Sequence, residues 1–589
     1  MCPLEWRKMG SMKSKLPWLE GFLLACIVAA VFVVGGETVR ASYHGLLHTA
    51  VGEAVWRDGL LPENPYHAGE ALRYYTLYPW AGVTLGHLLG GPFWGFAWLS
   101  ILAALFFGPA LDALGKSLSL PYAARRATFW AAILGFNGWG WTFSNGQETV
   151  ALLGQSPIIL SQYLTSFQGW SWDARLQAVL PKFLNVSSFA LALAPGMWAL
   201  AAGIHPITQP KKFILPGALA LALNPLVGGV VALMVAMAKT PLLWRHPRQA
   251  IPWLTAGVLA TLLALPFLMP LFAPAPGGEQ MTGVVAFQAP FGVNFFGSLG
   301  LLAGAAIWGC KAWDTAPRRR FLLGMLLLLG LAAGAKLPWA NEYKLFRLLG
   351  IGLALPAGLV LSKLWLGGGW SRLVPFLLGG LCLPTTWLMV QAYGAWGNQN
   401  QVEHLQSQAG RLVVHADVAS TIFPASFSKA EAHASAEAVL VMALQHPGSR
   451  LGGGVVQGNA LASILHRPLF VDLPQIHNAG ISDLGQRLRW VSRLFHPDAS
   501  SKNQVDVLLA MCKKMASRPL LVLWPPQLGT KPHSPSLGTK PHSPPLGQPV
   551  KVPEWANSSQ IQVDILAEED GFFLIQVQGQ NSENEKQGN

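Results

Sequence analysis

Residues 16–80 read LPWLEGFLLACIVAAVFVVGGETVRASYHGLLHTAVGEAVWRDGLLPENPYHAGEALRYYTLYPW, and the change of character partway along decides the fold. Pro17 to Val34 is an apolar run close to the ~20 residues that a helix needs to cross hydrocarbon. Arg7, Lys8, Lys13 and Lys15 precede it, as in a secretory signal. No small-residue cleavage site stands before Glu37, so the run reads as a retained first helix. The polar stretch after it is too long for a turn and reads as an external loop. Up to about residue 393 the chain goes on alternating apolar runs with polar loops. Of 589 residues, 52% are hydrophobic and 12% charged, against about 25% charged in soluble domains. With a mean hydropathy of +0.37, this excludes a soluble enzyme along the whole length, and also a disordered or fibrous chain.

The net charge of +13 comes from cations placed between apolar runs. That is the pattern of cytoplasmic loops, so no nucleic-acid partner is expected. Further runs cover roughly 92–114, 127–143, 184–204, 251–272, 291–310, 321–337, 345–365 and 373–393. The run 213–237 is interrupted by Asn224-Pro225 and Gly228-Gly229, which predicts two half-helices. If that run enters and returns as a hairpin, the cation groups around Lys116, Lys211, Lys239, Arg319 and Lys363 all fall on the side of the N-terminus. The expected fold is therefore an α-helical polytopic membrane bundle of about nine full spans plus a re-entrant hairpin. The N-terminus is expected to be cytoplasmic, and the long first external loop covers 37–91.

From about 394 the composition changes. Arg411 to His415, Leu469 to Asp472 and Leu520 to Trp524 read as strands, and 482–495 and 502–515 as helices. A final strand pair is expected at 560–566 and 571–577. Residues 394–589 are thus expected to form an extracytoplasmic α/β domain. A tandem repeat of LGTKPHSP, within an insertion at 528–549, reads as a flexible linker. The five cysteines (Cys2, Cys26, Cys310, Cys382 and Cys512) are scattered and include no CxxC pair, so neither a disulfide framework nor a zinc ribbon is expected.

In the first loop a continuing helix would put Glu37, Arg40, His44 and His48 on one face. Such a stripe offers a general base and an anion-binding group at the membrane edge. The bland alternative is a solvated helix face. Two histidines four apart lack a third ligand, so no metal site is assigned. Gly59 predicts the end of that helix. Beyond it, Arg73, Tyr74, Tyr75, Tyr78 and Trp80 read as interfacial anchors or, for Tyr74 and Tyr75, a sugar platform. Later external stretches carry Asp173, Arg175 and Lys182, then Glu342, Lys344 and Arg347. Cations where an apolar helix meets the external face suit a phosphate, or serve as snorkelling anchors.

Taken together, this loop with its P-x-x-P at 62–65, Gly69 turn and Tyr-Tyr pair, the KFLN at 182–185, the EYK at 342–344, and the tail stretches GNALASILHRPLFV, RLRWVSRLF and LLAMCKKMASRPLLVLW resemble GT-C superfamily glycosyltransferases. The likeness is to bacterial members related to protein mannosyltransferases and aminoarabinose transferases. It implies a bundle of roughly a dozen helices, often with a soluble domain. It also implies a polyprenyl-phosphate-linked sugar as donor, membrane lipids as surroundings, and an acceptor that the sequence does not name. Glu37 would be the acidic residue of the first loop, acting as base or metal ligand, so a divalent cation stays open as cofactor. The family more often has Asp there. Lys344 or Arg347 would hold the lipid phosphate. A bacterial inner membrane is the implied location. The competing readings are a transporter or lipid flippase, and a non-catalytic scaffold.

Overall fold

Prolines and glycines set many of the helix ends in the computed structural model. It describes residues 3–34, 43–135, 179–204, 210–245, 248, 250–272, 284–285, 291–337, 343–380, 382–383, 386, 390, 405–408, 411–416, 419–424, 434–435, 437–442, 467–471, 483–496, 499–516, 518–524, 552–569 and 572–579. The chain divides into two units. The first comprises Met1–Gly52, Tyr74–Phe272 and Met281–Glu403; the second comprises Glu53–Arg73, Ala273–Gln280 and His404–Asn589.

The first unit is helical. Its elements are α1 (Pro3–Val34), the start of α2 (Tyr43–Asp58), α3 (Leu77–Leu89), α4 (Pro92–Ser117), α5 (Tyr122–Leu134), α6 (Leu180–Phe183), α7 (Ser188–Ile204), α8 (Lys211–Leu223), α9 (Pro225–Arg245), α10 (Ala250–Leu268), α11 (Phe291–Cys310), α12 (Ala316–Gly334) and α13 (Tyr343–Gly367). Strands β1 (Val284–Val285) and β2 (Ala335–Lys336) pair antiparallel. Four stretches are long and apolar enough to cross a membrane: Lys15–Val34, Phe93–Ser117, Ala250–Phe272 and Lys344–Gly367. Ser188–Ile204 and Pro225–Thr240 are apolar but shorter. The first unit is thus mostly helical, with four stretches able to cross a membrane by length and composition among the described residues.

In hydrocarbon, helices associate through close packing and satisfied polar groups. Both devices join α1 to α4 and α5. A Cβ on Gly21 would lie 2.1 Å from the Leu105 carbonyl oxygen, and one on Gly108 would lie 2.4 Å from that of Pro17, so any larger residue would push the two helices apart. Near the same end, Arg126 of α5 pairs with both Glu20 of α1 and Asp112 of α4. Asp112 also takes Arg125 Nε at 2.8 Å and Lys116 Nζ at 2.8 Å. Buried ionisable groups in membrane helices persist when paired in this way.

The interrupted run 213–237 breaks where the sequence predicts, but its second part is longer than expected. The break falls at Asn224, which is extended (φ −151°, ψ 104°). Pro225 then starts a helix, a position where its missing N–H costs nothing. The segment before the break is short at 13 residues. The one after it continues for 21 residues to Arg245, past the end of the apolar run, and its apolar part, Pro225–Thr240, is among the shorter apolar helices. The expected loop 37–91 also contains α3, and its Glu53–Arg73 portion belongs to the second unit.

The second unit contains a four-stranded sheet in the order β6-β7-β9-β8 (Val439–Met442, Leu520–Trp524, Phe572–Gly579, Ile561–Glu569). β6 and β7 run parallel; the other pairs are antiparallel. Helices α14 (Leu484–Leu494) and α15 (Ser501–Lys514) contribute Val491, Leu494, Leu508 and Met511 to a core with Val441, Val522 and Ile575. Ser500 caps α15 by accepting from the Asn503 amide at 3.3 Å. A separate antiparallel sheet joins β3 (Leu405–Gln408), β4 (Arg411–Ala416) and β5 (Ala419–Pro424). Residues 65–68 extend the first sheet. Leu469 bridges Leu440 in parallel, and Leu469 in turn exchanges hydrogen bonds with Pro65 O (2.9 Å) and the Ala68 amide (2.8 Å). The repeat insertion 528–549 lies outside the described residues.

Candidate functional site

Of the predicted site residues, Glu37, Arg40, Asp173, Arg175 and Glu342 lie outside the described residues, as does the side chain of His44. The rest, His48, Tyr74, Tyr75, Lys182, Lys344 and Arg347, all fall in the first unit. α2 does run to Asp58 and stops at Gly59, whose φ of +85° is the left-handed turn expected there.

His48 is 3% exposed. Its ring sits 4.8 Å from Tyr78, and 5.9 Å from both Tyr74 and Phe96. Tyr78 is fully buried, so it is not the interfacial anchor expected from its place beside Trp80. It stands in the first turn of α3 and packs against His48 of α2 and Phe96 of α4. Tyr74 and Tyr75 stack at 4.3 Å. Both are half-buried. Tyr74 donates to the Tyr75 hydroxyl at 3.1 Å, and Tyr75 shares a 2.7 Å hydrogen bond with Ser188. The Asn224 amide donates to the same Ser188 oxygen at 3.0 Å. The loop tyrosines, the start of α7 and the α8–α9 break are thus joined through one serine.

Lys182 and Arg347 are buried at 9% and 2% exposure, and Lys344 is half-buried. Lys182 stands in the short α6; Lys344 and Arg347 share a face of the first turn of α13, three residues apart. Burial pushes the Lys182 ammonium well below the ordinary lysine range, and the positive charges of Arg347 and Lys344 push it the same way. Sequence segments more than 150 residues apart therefore bring three cations into one electrostatic neighbourhood.

Sequence reasoning missed a second polar cluster, in the second unit. His67 is fully buried and its Nε2 lies 3.0 Å from Asp483 Oδ1. Asp483 Oδ2 takes Arg487 Nε at 2.8 Å and Lys514 Nζ at 2.9 Å. Arg487 also donates to the carbonyls of Ala68 (2.6 Å) and Phe470 (3.0 Å). Burial by itself raises the Asp483 carboxyl, but the hydrogen bonds from His67, Lys514 and Arg487 outweigh it and hold the group far below the usual carboxylate range. Burial lowers the His67 pKa, against the pull of Asp483; with Asp483 held as a carboxylate, His67 Nε2 donates its hydrogen to Oδ1. His67, Glu70 and Asp483 could in principle bind a metal, since their donor atoms lie within 4.8 Å of one another. The donor set does not fit one. Two cations already neutralise Asp483, and a dication would face the buried Arg487 guanidinium. The cluster instead fixes residues 65–68 to their sheet. No local signal marks His67, because its partner is 416 residues away.

No family model matches the chain, and no curated protein matches it. Among solved structures, ArnT from Cupriavidus metallidurans in the apo state aligns with 94% of this chain and 97% of that one, at 10% identity and a TM-score of 0.46. ArnT from the same organism bound to undecaprenyl phosphate aligns over the same shares, at 10% identity and a TM-score of 0.47.

Proposed function

We propose that this chain is a membrane glycosyltransferase that moves a sugar from a polyprenyl-phosphate carrier to an acceptor at the external face of a bacterial inner membrane. One observation carries the reading: Lys182, Lys344 and Arg347 gather, largely buried, in the membrane unit. An apolar bundle with concentrated positive charge suits a ligand that is part hydrocarbon and part phosphate. In the reaction, the acceptor oxygen forms a bond to the anomeric carbon of the sugar. The bond from that carbon to the phosphate oxygen breaks, and the electron pair leaves with the lipid phosphate. The cations stabilise the charge developing there. A base must take the acceptor proton, and Glu37 fills that role in this reading. Tyr74 and Tyr75, stacked on each other and with Tyr75 hydrogen-bonded to Ser188, offer an aromatic face to a sugar, with His48 packed near Tyr74.

The test is transfer of labelled sugar by the full-length protein in vesicles. Glu37→Ala abolishes transfer while retaining binding of the lipid phosphate. Lys344→Ala combined with Arg347→Ala weakens both. Full transfer by Glu37→Ala removes that residue from the chemistry, and full transfer by the double variant removes the cation cluster.

A further inference from the structure

A second cationic site lies at the other end of α13, about 28 Å farther along the helix from Lys344 at 1.5 Å per residue. There a groove of about 490 Å³ is lined by Trp308, Lys311, Leu359, Lys363, Leu364 and neighbouring small residues, with no carboxylate in its wall. Both lysines are exposed, and neither makes an ion pair among the described residues. Other side chains fill the two structural roles that lysines commonly take at such a place. One role is to cap the last carbonyls of a helix C-terminus. Here Ser371 Oγ lies 2.7 Å from the carbonyl oxygens of both Leu364 and Gly368, and Arg372 Nε donates to Trp365 O at 3.1 Å. The other role is to pair with a nearby acid. The acid nearest Lys311 in sequence is Asp314, which faces Arg318 at 3.5 Å. The same Arg318 holds the turn after α11 in place by donating to Ala312 O at 3.1 Å, Leu118 O at 3.0 Å and Ser119 O at 2.8 Å. The groove is thus built from fixed backbone, with two exposed ammonium groups, unpaired among the described residues, above an apolar floor.

We infer that this groove binds the phosphodiester headgroup of an anionic phospholipid. The two ammonium groups contact the phosphate, and an acyl chain runs against Trp308, which is 55% exposed. The complementarity is of two kinds. Positive charge in a wall that carries no carboxylate selects an anion. Walls of Leu359, Val360 and Leu364 select one that carries hydrocarbon, since a free phosphate dianion would sit against apolar groups with too few donors. This site does not depend on the transferase reading, because it shares no residue with the first cation cluster.

The experiment is lipid titration of the purified full-length protein by native mass spectrometry, using phosphatidylglycerol, phosphatidylcholine and inorganic phosphate. The wild-type protein retains one phosphatidylglycerol roughly tenfold more tightly than phosphatidylcholine. Lys311→Gln with Lys363→Gln abolishes that preference, whereas Lys311→Arg with Lys363→Arg keeps it, which separates loss of charge from loss of fold. Inorganic phosphate does not compete. Equal affinity for the two lipids in the wild type, an unchanged preference in the glutamine variant, or displacement of the lipid by inorganic phosphate would each overturn the assignment.

Discussion

Arg487→Met is the sharpest structural perturbation available in the second unit. The guanidinium is 1% exposed and joins three partners: Asp483, and the carbonyls of Ala68 and Phe470. Methionine preserves much of the volume but leaves two buried carbonyls and one side of a carboxylate unsatisfied. Each hydrogen bond to a charged group is worth about 1.5–3 kcal/mol, and breaking a buried ion pair costs about 3–5 kcal/mol. Asp483 keeps His67 and Lys514, so the lower end applies, about 3 kcal/mol, or roughly a hundredfold in an opening equilibrium. Residues 65–68 are held to Leu469 by two backbone hydrogen bonds, and the loss should appear there first. The assay is hydrogen exchange on the full-length protein in nanodiscs, following the amides of Ala68 and Leu469. Their protection falls by about two orders of magnitude, while Arg489→Met, on the exposed face of the same helix, changes nothing. Protection within threefold of wild type in Arg487→Met would show that the network does not anchor the loop.

The same network makes a pH prediction. The folded pKa of His67 is below its unfolded value of about 6.5. Its contribution to stability is therefore complete above that value and is lost as pH falls toward the folded pKa, while Asp483 stays ionised throughout that window. Thermal unfolding at pH 7.5 and pH 5.5 should show a loss at the lower pH that His67→Gln reduces; an equal loss in both proteins would contradict this. Gly59→Ala costs about 1 kcal/mol from the left-handed backbone alone, because nothing lies within 4 Å of the added methyl. Gly59→Asn costs less, and equal midpoints for the two in denaturant titration would refute the strain argument. Asn224→Ala removes the donor to Ser188 and lowers stability by about 1 kcal/mol, read from the same titration. Tyr75→Phe also loses a Ser188 partner, so the double variant should lose less than the sum of the singles; strict additivity would separate the two bonds.

Local signals are legible in the sequence and longer-range ones are not. The helix stop at Gly59, the break at Asn224-Pro225 and the strand at Leu520 to Trp524 all follow from backbone rules that act over a few residues. The length of α9 is not legible, because the Gly228-Gly229 pair looks like a second breaker although helix continues through it. Composition alone misplaces Tyr78, since it cannot tell an interfacial aromatic from a buried one; its surroundings are set by His48 and Phe96 on other elements. The grouping of Glu53–Arg73 with the tail depends on Pro65, Ala68 and His67 meeting residues some 400 positions away, which no periodicity encodes. Lys182, Lys344 and Arg347 are legible as single cations beside apolar helices. Their burial in one neighbourhood is not, since it depends on how α6 and α13 pack.

The claim on which the rest depends is that these three cations form a seat for a lipid phosphate. The direct measurement is binding of a polyprenyl phosphate, and of the corresponding phosphate-free polyprenol, to full-length wild type and to the variant combining Lys182→Ala, Lys344→Ala and Arg347→Ala. The phosphate-bearing lipid should bind the wild type at least tenfold more tightly than the alcohol, and the variant should bind both equally. A variant that still prefers the phosphate, or a wild type that does not distinguish the two lipids, would contradict the account.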